Sequence, residues 1–174
     1  MNDKAFKIVA SGVLIALSIA LTRLMSANLI IAGVPAVRLG MGFVPIMIAG
    51  VVLGPYYGMA VGAMADLLGF VMFPTGAYFP PITLTSALVG LLPHLVFRML
   101  PHAKDWVRVV LAVTLTQIVC SMVLQTVWLS MLYGVPYTEM FYARAVAAAV
   151  TTPVYCVIVQ AVFAGLKKAR LVHT

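Results

Sequence analysis

Asp66-Leu-Leu-Gly-Phe-Val-Met-Phe-Pro-Thr-Gly-Ala-Tyr-Phe-Pro-Pro-Ile-Thr-Leu-Thr85 sets a carboxylate inside an apolar run and ends it in a loop built on Pro74, Gly76, Pro80 and Pro81. Tyr78 and Phe79 sit within that loop. Proline fixes φ, so the two rings are carried on backbone with little freedom. In a chain that is 64% hydrophobic, a connection this rigid reads as the lid and wall of a small-molecule site at one face of a membrane.

Working outward, composition selects the solvent. The 174 residues are only 9% charged, where a soluble domain carries about 25%, and the mean hydropathy is +1.12. A water-soluble core has no room for so much apolar surface, so lipid must bathe most of the chain. The net charge of +7 does not indicate nucleic acid, because the basic residues fall at the ends of apolar runs, where they govern topology. Cys120 and Cys156 lie within apolar runs and read as small apolar fillers rather than a disulfide or a metal site. Lys4 and Lys7 precede an apolar stretch that continues past Ala27, which predicts a retained first helix rather than a cleaved signal peptide.

A spanning helix needs roughly 20 apolar residues. The first span is predicted over 5–27, followed by a loop or re-entrant connection over 28–38 that holds Gly33 and Pro35. A short second span over 39–53 is expected to bend at Pro45, and Gly54-Pro55 turns the chain into a third span over 56–72. The fourth span covers 83–100 with Pro93 inside it, the fifth 107–132 and the sixth 138–166. The prediction is an all-α integral membrane fold, a single domain over 1–174 with six transmembrane helices. Placing the N and C termini in the cytoplasm puts Lys4, Lys7, Arg98, Lys104, Arg108, Lys167, Lys168 and Arg170 inside, eight of the eleven basic residues. The Gly-, Pro- and Tyr-rich connections at 28–38, 73–82 and 133–137 then face outward, which sets a ligand pocket near the extracellular face.

Asp66 lies seven residues before Phe73, about 10 Å beneath the outer end of its helix. A carboxylate at that depth is costly unless it is paired or faces a cavity. Arg23 and Arg144 fall at comparable depth and Arg38 joins them in the outer half, against the two acids Asp66 and Glu139. Either Asp66 and an arginine form a structural pair, or the surplus cation receives an anionic ligand. Tyr78, Phe79, Trp128, Tyr133 and Tyr137 lie in or near the outer connections, as an interfacial belt or as walls for a flat ring system. Gly12, Ala16 and Ala20 form a small-residue stripe along the first helix, for packing within the bundle or for docking a separate subunit. His94, His102 and His173 lack metal-ligand spacing, no nucleophile has a visible base, and no phosphate-binding glycine loop is present. The chain is therefore expected not to be an enzyme and to bind no cofactor of its own.

The chain resembles the S components of the energy-coupling factor (ECF) vitamin transporters over essentially its whole length. The resemblance rests on Ala16-xxx-Ala20, on Gly54-Pro55-xx-Gly58 and on the Asp66…Pro74…Tyr78-Phe79-Pro80…Thr83 segment. Arg38-x-Gly-x-Gly-Phe-x-Pro45 and the Phe-Pro-Thr-Gly-Ala-Tyr-Phe-Pro loop are most similar to the folate-specific branch, although Pro81 and Ile82 stand where that branch has Gly and Phe. The resemblance implies a high-affinity receptor in a prokaryotic plasma membrane. It would capture folate, or another vitamin such as pantothenate, and dock on a transmembrane coupling subunit that bears two ATPase subunits. ATP would be used by those partners alone. It further implies docking through Ala16 and Ala20, and delivery by tipping of the whole S component in the bilayer. On chemical grounds a pteridine edge suits Asp66, an aminobenzoyl ring suits Tyr78 and Phe79, and the carboxylates of a glutamate tail suit Arg23, Arg38 or Arg144. An integral-membrane enzyme, a channel or a secondary transporter are the competing classes.

Overall fold

In lipid, backbone groups must find their hydrogen bonds within the chain, which favours helices wherever the apolar runs are long. A computed structural model describes residues 3–24, 27–31, 34–39, 41–73, 78–134 and 136–168, and it is dominated by helices. These are α1 (Asp3–Leu24), α2 (Phe43–Leu53), α3 (Pro55–Met72), α4 (Pro80–Met99), α5 (Asp105–Thr116), α6 (Gln125–Tyr133) and α7 (Tyr137–Lys168). A π-helical segment, Gln117–Leu124, joins α5 to α6. Right-handed helical dihedrals at Gln117 and Gln125 make the three pieces one continuous rod.

Three local expectations are corrected. The connection over 28–38 is an antiparallel hairpin of β1 (Ala27–Ile31) and β2 (Val34–Leu39), so the fold is not purely helical. Its runs are rich in Val, Ile and Leu, and Pro35 falls at a register shift between Leu29 and Ile30, where a missing N–H is tolerated. Pro45 does not sit mid-helix; it is the third residue of α2, where the N–H has no intrahelical partner to lose, so it demands no bend. The fifth span carries the π segment, which neither Pro nor Gly announces.

Among the described residues, four helices are long and apolar enough to cross a membrane by length and composition, over Lys4–Thr22, Pro80–Met99, Asp105–Leu132 and Met140–Lys168. The shorter apolar Phe43–Leu53 is mostly internal: Val44 to Gly50 and Leu53 are buried, and Phe43, Val51 and Val52 partly so. Buried Met47, Val61, Val89, Val109 and Val113 place the hydrophobic core among α2, α3, α4 and α5, with Tyr155, Val159 and Phe163 of α7 closing it. The surface is oily. Val146, Val150 and Val157 on α7 are 69%, 60% and 69% exposed, a stripe that water would penalise and lipid accepts. This is a multi-pass membrane protein.

Backbone contact through glycine sets the helix spacing. A Cβ on Gly50 of α2 would stand 2.0 Å from the Gly90 carbonyl oxygen of α4, and one on Gly58 of α3 would stand 2.4 Å from the same atom. Three helices therefore meet with no side chain between them. Small residues allow this approach in membranes, where dispersion contacts replace the hydrophobic drive.

Contacts also bring several helix ends together. Lys7 of α1 lies 5.8 Å from the Tyr57 ring at the start of α3. Lys167 at the end of α7 pairs with Asp105 at the start of α5, and Arg108 lies 3.9 Å from the same carboxylate. The start of α1, the α4–α5 connection and the end of α7 thus share one end of the bundle. Its opposite end carries the hairpin and the start of α4.

Candidate functional site

The site begins with a helix crossing. On α3, a Cβ at Gly62 would stand 2.0 Å from the Ser86 carbonyl oxygen of α4. Asp66 lies one turn beyond Gly62, and Thr83 lies about one turn before Ser86 on the antiparallel helix. The close crossing therefore carries the two side chains into register. Thr83 Oγ1 donates to Asp66 Oδ2 at 2.6 Å, the length of a hydroxyl–carboxylate bond. Tyr78 Oη lies 3.1 Å from Thr83 Oγ1. Threonine has one hydroxyl proton, already given to Asp66, so Tyr78 is the donor in that contact.

The aromatic wall is anchored in the same turn. Phe79 caps α4 in an extended conformation, and Pro80 and Pro81 occupy its first positions, where absent N–H groups cost nothing. The proline at 81, foreign to the folate-branch pattern, is thus placed where a helix start welcomes it. The Pro81 carbonyl accepts from Thr85 Oγ1 at 3.0 Å, and Thr85 Oγ1 accepts from Trp128 Nε1 at 3.2 Å. Phe79 and Trp128 lie 6.2 Å apart between ring centroids, and Phe70 and Tyr78 lie 5.2 Å apart, both tilted. Asp66, Tyr78, Phe79 and Trp128 are therefore brought into one neighbourhood through Thr83 and Thr85. Thr83 ended the quoted motif, and neither threonine was singled out by chemistry; two hydroxyls just after a Pro-Pro helix start were the available signal.

Arg144, 6% exposed on α7, reaches across to the π segment. Its Nη1 donates to the Ser121 carbonyl at 3.1 Å and to Gln125 Oε1 at 2.9 Å. A π turn shifts the carbonyl pattern, and a guanidinium with five donors suits a carbonyl so displaced. Trp128 follows Gln125 by less than one turn, so the arginine and the tryptophan share one segment of the rod. Gln117 Nε2, buried in the π segment, donates to Thr151 Oγ1 of α7 at 3.2 Å. Tyr137 opens α7, is 41% exposed, and stacks on Phe141 with centroids 5.8 Å apart. The side chains of Arg23, Arg38 and Tyr133 lie outside the described residues. Arg23 falls in the last turn of α1, and Arg38 faces Asn28 in the hairpin register.

The small-residue stripe divides α1 into two faces. Inward, Ser18 Oγ donates to the Gly42 carbonyl at 2.7 Å. Outward, Gly12 and Ala16 are exposed and Ala20 is partly so, flanked by Ile8, Val9, Val13 and Leu17 at 63%, 67%, 61% and 45% exposure. Nothing lies within 4 Å of where a Cβ on Gly12 would stand. The stripe at Gly12 and Ala16 therefore faces away from the rest of the chain.

Residues 6–171 match the family described as the substrate-specific component of the ECF transporter. The chain is 36% identical to a folate transporter, FolT, of Clostridium novyi (strain NT) over 147 residues, covering 84% of this chain and 81% of that protein. It is 29% identical to a folate transporter, FolT, of Leuconostoc mesenteroides subsp. mesenteroides over 122 residues, covering 70% of this chain and 64% of the relative. Its fold is similar to that in a crystal structure of FolT bound with folic acid, at a TM-score of 0.72 and 26% identity, covering 87% of this chain and 90% of the other. The chain belongs to the substrate-specific components of the ECF transporters.

Proposed function

We propose that this chain is a folate-binding S component that captures the vitamin from outside the cell and presents it to an energising module. The observation that carries the proposal is the convergence of Asp66, Tyr78, Phe79 and Trp128 on the first turn of α4, in a chain whose relatives are folate transporters. A pteridine offers a donor–acceptor edge that a fixed carboxylate can meet with paired hydrogen bonds. The tilted ring pairs Phe70–Tyr78 and Phe79–Trp128 offer aromatic faces for a flat ring system. Arg144 and the arginines at 23 and 38 are the candidates for the acidic tail.

Residues 1–174 work as one unit with six membrane crossings, both termini cytoplasmic, in a prokaryotic plasma membrane. The shared end holding Lys7, Lys104, Arg108 and Lys167 supports that orientation through the positive-inside rule. The outward stripe of α1 supports docking on a transmembrane coupling subunit with two ATPase subunits, through Gly12, Ala16 and Ala20. The chain has no cofactor and no catalysis of its own; ATP is spent by its partners.

Calorimetric titration of the purified protein with folic acid, pantothenate and riboflavin tests this reading. Folic acid is expected to bind, and the other two are expected not to. Binding of pantothenate in place of folic acid would change the ligand and keep the family. In the same assay Asp66→Asn is expected to weaken folic acid more than tenfold, since a lost charged hydrogen bond is typically worth above ~1.5 kcal/mol.

A further inference from the structure

We propose that Thr83 is a positioning residue for the Asp66 carboxylate and, with Tyr78, fastens the Tyr78–Phe79 stretch before α4 to it, an inference that rests on folate binding at this site. The observation is the ordered chain Tyr78 Oη to Thr83 Oγ1 at 3.1 Å and Thr83 Oγ1 to Asp66 Oδ2 at 2.6 Å. Each hydroxyl has a single proton, so the chain has one direction, running from the loop tyrosine toward the carboxylate. Thr83 is β-branched and helical, which limits its χ1 to two rotamers, and the bond to Asp66 selects one of them. The Gly62–Ser86 crossing one turn deeper fixes the distance between the two helices. Asp66 is thus presented in one rotamer before any ligand arrives, which lowers the ordering cost of binding. Tyr78 is 42% exposed and reaches the carboxylate through Thr83. A ligand that engages Asp66 is therefore coupled to Tyr78 through this hydroxyl.

The test is a double-mutant cycle on the full-length protein in detergent or nanodiscs, titrated with folic acid. Thr83→Val keeps the shape and removes the hydroxyl, and is expected to weaken binding about tenfold, the size of one hydrogen bond to a charged group. Thr83→Ser restores the donor and is expected to recover most of the affinity. Combined with Asp66→Asn, Thr83→Val is expected to add little, because both changes remove the same interaction. Tyr78→Phe leaves the Asp66–Thr83 bond in place and is expected to speed ligand release several-fold, with ligand-free melting unchanged. Wild-type affinity in Thr83→Val, or a double mutant as weak as the product of the two single effects, overturns the positioning role. A Thr83→Val protein that does not fold, together with wild-type release from Tyr78→Phe, overturns it as well. A wild-type protein that binds no folic acid fails earlier and differently: it overturns the functional reading before any variant is compared.

Discussion

Trp128 holds two bonds at once, a ring contact with Phe79 and an N–H to Thr85, and the two can be separated by substitution. Trp128→Phe keeps an aromatic face and removes the donor; a few-fold loss of folic acid affinity is expected, the order of a neutral hydrogen bond worth about 1 kcal/mol. Trp128→Ala removes both and is expected to cost at least ten times more affinity than Trp128→Phe, read by the same titration. At this scale much was legible. A carboxylate in an apolar run is conspicuous, and so are rings between prolines. The threonines were not, because a hydroxyl's role depends on what the opposite helix brings to it. Thr83 matters only because Gly62 lets α3 come close enough. The partners of Arg144 were equally hidden, since Ser121 and Gln125 meet it through a helical register that sequence spacing does not disclose.

Among the elements, the glycine crossing and the π segment make opposite demands. At the crossing nothing can be added. Gly90→Ala would set a methyl 2.0 Å from the Gly58 carbonyl oxygen, and overpacking of this kind costs about 1–3 kcal/mol. A lowered melting temperature is expected, and an unchanged one would contradict the backbone contact. In the π segment one residue can be taken away. A π turn amounts to an inserted residue absorbed by the wider turn, so deleting Val119 is expected to restore an α-helix and keep Gln125 and Trp128 in register. Arg144 would lose the displaced Ser121 carbonyl, and folic acid affinity is expected to fall a few-fold while membrane insertion persists, which titration and membrane fractionation together would show. Helix positions could be read in advance because apolar run length fixes them. The hairpin and the π segment could not: Ala27–Leu39 is short and carries Gly and Pro, and Gln117–Leu124 is an apolar run broken only by Gln117 and Ser121, with no Pro or Gly.

For the whole molecule, the governing fact is that the side chains face two media. Exposed apolar residues run along α1 and α7 and suit lipid; α1 sets three small residues among them at every fourth position, Gly12, Ala16 and Ala20, where α7 has the shorter exposed pair Ala161 and Gly165. Ala16→Trp is therefore expected to leave folic acid affinity within about twofold, because it touches nothing in the site, and to abolish co-purification with the coupling subunit by blocking close helix approach. Retained co-purification would move the docking face elsewhere. Charge at the opposite medium is sparing: Asp105 meets both Lys167 and Arg108, and Asp105→Asn is expected to cost under about 1 kcal/mol of stability, as partly exposed pairs do. The overall fold was legible from composition because hydropathy and charge placement are whole-chain properties.

That same carboxylate also imposes an order on manufacture. Lys167 follows Asp105 by 62 residues, so while the chain is being synthesised Asp105 must wait, with Arg108 beside it, until the last helix has left the ribosome. That end of the bundle gains the contact only once Lys167 has emerged, and because so exposed a pair contributes under about 1 kcal/mol, the helices must already hold one another by apolar packing when it forms.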